Sequence, residues 1–127
     1  MITHVLHTGV RVADLQKSIE LYQKLGFRVE EEFTKPEPKC KAAIMKKGEI
    51  AFELFEFEDV AHEYVKYISN HIAFYSDDIE HDVADFVAKG YKLVIPINDG
   101  TLLRFAYVQD PSGAFCYELA TEKKVTS

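Results

Sequence analysis

The sequence predicts an α+β protein made of two tandem βαβββ modules. Three observations carry that prediction. The chain repeats itself at an offset of 64 residues. Within each copy the apolar period changes from two to that of a helix and back to two. Turn-forming residues fall between the period-two stretches that follow each helix.

The repeat aligns HTGVRVADLQKSIELYQKLGF, from His7, with HIAFYSDDIEHDVADFVAKGY, from His71. His7 falls on His71, Asp14 on Asp78, Leu15 on Ile79, Ile19 on Val83, Tyr22 on Phe86, Gly26 on Gly90 and Phe27 on Tyr91. The first strand of module one alternates Leu6, Thr8, Val10 and Val12 against His7, Gly9 and Arg11. In the second copy Ile72 and Phe74 oppose His71, Ala73 and Tyr75. Asp14 and Asp78 then stand as helix N-caps, accepting the free amides of a first turn. The helical stripes are Leu15, Ile19, Tyr22 and Leu25, and Ile79, Val83, Phe86 and Val87. Gly26 and Gly90 suit the left-handed position that ends a helix. Further strands are expected near 27–34, 41–47 and 50–57, and near 91–97, 102–109 and 114–120. Pro36 and Pro38, Lys47-Gly48, Asn98-Asp99-Gly100 and Asp110-Pro111-Ser112-Gly113 punctuate them. The whole chain, 1–127, reads as one domain, with modules 1–57 and 69–121 joined by a linker, 58–68, expected to contain a helical turn. The tail after Thr121, EKKVTS, is expected to fray.

Composition limits the function. Acids outnumber bases 21 to 15, for a net charge of −6, the wrong sign for a duplex nucleic-acid binder. No apolar run nears the ~18 residues of a membrane span, and the opening MITHVLHTGV lacks the charged and apolar regions of a signal peptide. Cys40 and Cys116 suggest neither a disulfide framework nor a cysteine-rich zinc site. A cytoplasmic protein is expected.

Strand parity points to a site. In module one His7 shares its face with Gly9, and on the last strand Glu53 shares a face with Ala51, Phe55 and Phe57, while Phe52 and Leu54 take the opposite one. In module two His71 lies with Ala73, and Glu118 with Ala114, Cys116 and Ala120. Each module thus offers one imidazole and one carboxylate on the face away from its helix, with small neighbours leaving a hollow. Two imidazoles and two carboxylates suit a divalent ion such as nickel, cobalt, zinc, manganese or iron, and without a cation the two acids would repel. Taken singly, a strand-end histidine is more often structural and a strand glutamate more often solvated; recurrence at matching places is what favours ligands. His4, His62 and His81 have no counterparts and read as surface or structural residues. Cys40 reads as an ordinary thiol and Cys116 as a wall of the hollow. Phe52, Phe55, Phe57 and Phe105 are candidate apolar walls.

These residues resemble the vicinal oxygen chelate superfamily, which includes glyoxalase I, bleomycin-resistance proteins, fosfomycin-resistance enzymes, extradiol dioxygenases and methylmalonyl-CoA epimerase. LHTGVRVADLQKSIELYQKLGF resembles the opening of bacterial glyoxalase I, and IAFELFEF, SNHIAFYS and YVQDPSGAFCYELA continue the likeness along nearly the whole chain. The resemblance implies a cupped, mostly antiparallel sheet, a homodimer, a small-molecule substrate and one divalent metal ion per site. It places the metal ligands at His7, Glu53, His71 and Glu118, with Glu118 as catalytic base and Glu53 as its near-symmetric partner. Arg11 matches a substrate-binding arginine, and Phe57 and Phe105 are expected beside the substrate. The implied activity is a glyoxalase I-like lyase or isomerase acting on the hemithioacetal of methylglyoxal and a thiol through an enediolate. Alternatives are another metalloenzyme of the superfamily (epimerase, thiol transferase or dioxygenase) or a drug-binding protein without catalysis.

The sequence also departs from glyoxalase I. Phe57 stands where an asparagine contacts glutathione, and Asn98-Asp99-Gly100 replaces a basic neighbourhood. The epimerase, for its part, usually has glutamine at the place of Glu53. His7 precedes Glu53 by 46 residues but His71 precedes Glu118 by 47. One extra residue turns a side chain to the other face of a sheet unless a bulge or longer turn absorbs it.

Overall fold

In a computed structural model, which describes residues 1–123, the chain forms two compact units. One contains His7–Asn70 and the other combines Met1–Leu6 with the chain from His71 onward. The end of the EKKVTS tail, 124–127, lies outside the described residues.

The first unit holds the second half of β1 (Ile2–Arg11), then α1 (Leu15–Lys24), β2 (Arg28–Pro36), β3 (Lys39–Lys47), β4 (Ile50–Phe57) and α2 (Val65–Ile68). Its strands lie in the order β2-β3-β4-β1. β2, β3 and β4 are antiparallel neighbours, whereas β1 and β4 run parallel. The second unit repeats this with β5 (Asn70–Ser76), α3 (Ile79–Ala88), β6 (Lys92–Asp99), β7 (Leu103–Gln109) and β8 (Cys116–Glu122). Here the order is β5-β8-β7-β6, with β5 and β8 parallel. The expected α+β class and the doubled βαβββ order are present. Within each unit the sheet is antiparallel except where the first strand meets the last. The linker carries α2, whose Val65 and Ile68 are buried.

Each helix forms where its caps say it should. The Asp14 carboxylate accepts the Lys17 amide at 3.1 Å, and Asp78 accepts that of His81 at 3.2 Å, a contribution of about 1 kcal/mol per cap. Gly26 and Gly90, with φ of 94° and 100°, end the helices in the backbone region glycine enters without a Cβ clash. Leu15 and Ile19 of α1 cover Ala43, Met45 and Leu54 of the sheet. Ile79 and Val83 of α3 do the same over Ala106 and Leu119, with Ile2 of β1 packed beside them. Leu25 and Val87 depart from the expected stripes and are exposed. Leu25 is the cap residue beyond the last helical turn. Val87 follows Phe86, which faces the core, and is rotated about 100° from it around the helix axis.

Candidate metal centre

In the first unit the parallel pairing sets Gly9 opposite Glu53, with His7 two residues back on the same face of β1. His7 and Glu53 are both buried, and His7 Nε2 lies 3.7 Å from Glu53 Oε1. The other carboxylate oxygen, Oε2, accepts a charge-assisted hydrogen bond from Lys35 Nζ of β2 at 3.1 Å.

The second unit reproduces the register. Ala73 stands opposite Glu118, as Gly9 does opposite Glu53, and His71 is again two residues back, beside Cys116. His71 and Glu118 are buried, with Nε2 3.1 Å from Oε1. Glu118 therefore lies on the same face as its counterpart despite the longer spacing. The difference is absorbed before β8. Four residues, 47–50, separate the paired Lys46 and Ala51, whereas six, 110–115, separate the paired Gln109 and Cys116. One residue fewer lies upstream, between His71 and Tyr107, than between His7 and Ile44, the residue opposite Glu53. Tyr117, the alternative at the expected count, faces the other way and stacks on Phe74 at 5.4 Å.

Two further residues stand at these pairs that the sequence did not single out. Tyr107 of β7 is opposite Glu118 and almost wholly buried. Its hydroxyl lies 3.3 Å from His71 Nε2 and 3.3 Å from Glu118 Oε1. It could have been found by extending the parity of Phe105, two residues earlier on the same face. Lys35 had no such signal, because it belongs to a Lys- and Glu-rich edge strand that reads as solvated.

The remaining candidates are placed as follows. The Arg11 guanidinium lies over the Phe57 ring, 5.3 Å from its centroid, and Phe57 packs on Phe55. Phe105 meets Tyr107 edge-on at 5.8 Å. Phe52 is not a wall beside Glu53: it packs with Tyr22 and Phe27 on the helix side of the sheet, as its parity requires. Cys40 is buried, paired across the sheet with Phe57, and burial pushes its thiol pKa up; burial does the same to Cys116. His4 is exposed and stacks on Tyr75, while His62 lies beside Glu37. A groove lined by Asp14, Gln16, Glu32, Thr34, Lys41 and Glu56 opens by the start of α1 and includes neither His7 nor Glu53.

Buried carboxylates are rare unless a cation or hydrogen-bond donor compensates them. Each unit places one beside an imidazole nitrogen, Glu53 by His7 and Glu118 by His71, and both pairs are buried. The donor types fit a borderline divalent cation. The 3.1 Å between His71 Nε2 and Glu118 Oε1 is the spacing of two donors that each bind one ion at roughly 2.0–2.2 Å.

Sequence comparison agrees with this fold. The model of the Glyoxalase/Bleomycin resistance protein/Dioxygenase superfamily matches residues 4–115, and the chain belongs to that superfamily. No protein of curated function matches its sequence. Among solved structures, methylmalonyl-CoA epimerase from Mycobacterium tuberculosis is similar, with a TM-score of 0.82 at 20% identity over 97% of this chain and 90% of that one. A Streptomyces coelicolor methylmalonyl-CoA epimerase variant, in complex with 2-nitronate-propionyl-CoA, has a TM-score of 0.82 at 24% identity over 100% and 99% of the two chains. A hypothetical protein from Bacillus halodurans C-125 scores 0.77 at 19% identity, over 97% and 96%. At these identities the likeness is one of fold. Among the described residues no helix is long and apolar enough to cross a membrane.

Proposed function

We propose that the chain is a metal-dependent isomerase of the epimerase kind, which moves a proton on the carbon beside a carbonyl group. The observation that carries this reading is the repeated pair, His7 with Glu53 and His71 with Glu118, buried and held in one register in both modules. In this reading the four side chains hold a single divalent ion. When bound, that ion stabilises the negative charge that develops on the substrate carbonyl oxygen. Glu118 takes the proton as the C–H bond breaks and its electron pair moves toward the carbonyl oxygen. Glu53 returns a proton to the same carbon for epimerisation. General-base help of this kind is worth about 10²–10⁴-fold in rate. Phe57 and Phe105 keep water from the reacting carbon, and Arg11 meets an anionic group of the substrate.

The similar solved structures include epimerases of an acyl thioester, which favours that substrate class for the first assay. A second reading, hemithioacetal isomerisation, is favoured by the identity of Glu53. A second carboxylate, where the epimerase usually has glutamine, suits return of the proton to the neighbouring carbon.

Metal analysis and isotope exchange test the proposal together. The reading expects one divalent ion per chain, lost in His7→Ala and in His71→Ala. It also expects the metal-loaded protein to exchange the α-hydrogen of methylmalonyl-CoA, or of a methylglyoxal hemithioacetal, with deuterium from solvent. Exchange should fall by about 10²–10⁴-fold in Glu118→Gln. Two independent ions per chain would reject the single site. A loaded protein that exchanges neither substrate would reject the chemistry.

A further inference from the structure

We infer that Tyr107 is itself a ligand of the metal ion, through its phenolic oxygen. The inference rests on the reading of His71 and Glu118 as ligands and adds a donor that the sequence and the family resemblance did not assign.

The argument is geometric and stays within one unit. Tyr107 Oη, His71 Nε2 and Glu118 Oε1 form a nearly equilateral triangle with edges of 3.3, 3.3 and 3.1 Å. A hydroxyl engaged in an ordinary O–H···O bond sits at about 2.7–2.8 Å from its acceptor. Here the oxygen stands off both neighbours equally and farther than that. Its one proton is directed to Glu118, and both contacts are longer than ordinary hydrogen bonds. The triangle has the dimensions of one face of a coordination shell: donors at about 2.1 Å from one ion lie roughly 3.0–3.4 Å apart, from octahedral to tetrahedral geometry.

The fold holds the oxygen there. Tyr107 faces Glu118 in the antiparallel β7–β8 register, and its ring meets the His71 ring edge-on at 5.0 Å. Only 1% of Tyr107 is exposed, so the ring is confined on a short rigid strand. The first module has no equivalent, since Ile44 occupies the place opposite Glu53. The two half-sites therefore differ, with three donors from one module and two from the other.

Zinc is a suitable probe because its filled d shell adds no absorption of its own. On titrating the full-length protein with zinc, the expected result is an ultraviolet difference spectrum with the red-shifted absorption of one metal-bound phenolate. Tyr107→Phe should lose that band while still melting cooperatively without metal. Its zinc affinity should drop by more than about 100-fold, past the ~10–100-fold that losing a group which only orients a ligand costs. Zinc binding without the band in the wild-type protein would overturn the inference. So would a weakened Tyr107→Phe where the wild type shows no band, since the phenol would then only orient Glu118. Failure of both zinc and nickel to bind the wild-type protein would instead remove the metal reading, and this inference with it.

Discussion

The Asp110 carboxylate accepts the backbone amide of Ala114 at 2.8 Å. Through that contact, and a second to the Phe115 amide at 3.0 Å, one side chain shapes the turn that brings Glu118 onto its face of the sheet. The Ser112 hydroxyl also donates to Asp110, and these bonds hold its carboxyl below the usual value of 3.8. Because the folded pKa is the lower one, the stabilisation is present above about pH 4 and is lost as the pH falls through 3.8 and below. Asp110→Asn should therefore be less stable than wild type at neutral pH, and the two should converge in acid. Urea melts at several pH values measure this, and a difference that persisted or grew in acid would contradict it. Zinc affinity should fall with the register of Glu118.

Lys35 places an ammonium on one oxygen of Glu53 and leaves the other directed toward His7. In Lys35→Met the buried carboxylate loses this partner, and the metal-free protein should lose about 1–2 kcal/mol. A divalent ion would then have less competition for Glu53, so the rise in urea midpoint on adding zinc should be larger than in the wild type. An unchanged or smaller rise would show that the ammonium supports metal binding instead.

Gly100 lies against the aromatic residue that borders Tyr107. A Cβ built there would stand 2.6 Å from the Phe105 ring and 3.0 Å from the Leu103 carbonyl oxygen. Gly100→Ala should push Phe105 aside and cost about 1–3 kcal/mol, as overpacking does. Thermal melts read the loss directly. A neutral substitution would mean that the 100–103 turn adjusts without strain.

Both thiols should react slowly in the native protein. Cys40 and Cys116 are buried, and desolvation keeps them protonated, whereas the thiolate is the nucleophile. A chromogenic disulfide reagent should titrate two thiols quickly only after unfolding in denaturant. Rapid native labelling of one of them would show that its strand opens.

The residues of the candidate site were legible in the sequence because period-two alternation and a duplicated register are local properties. His7 with Gly9, and His71 with Ala73, announce a face by spacing alone. Glu118 was harder, since its face depends on turn length, and the Asp110 turn replaces a four-residue connection with a six-residue one. Tyr107 and Lys35 were missed for a related reason: each reaches its glutamate from a different strand, and cross-strand register is not written in either strand's own pattern. Phe52 was offered as a wall on its aromatic character, but its parity with Leu54 already placed it under the helix. Leu25 matched the helical period and stayed exposed because the helix stops before it.

β1 is divided: Ile2–Leu6 belongs with the unit built from the second module, and His7–Arg11 with the first. Ile2 helps cover Ile79 and Val83, which are translated more than seventy residues later. Ile2 therefore cannot take up this contact until the α3 segment has been made. A gene cut at the module boundary would yield a carboxy-terminal fragment with an uncovered flank, so the present chain is more than two copies laid end to end.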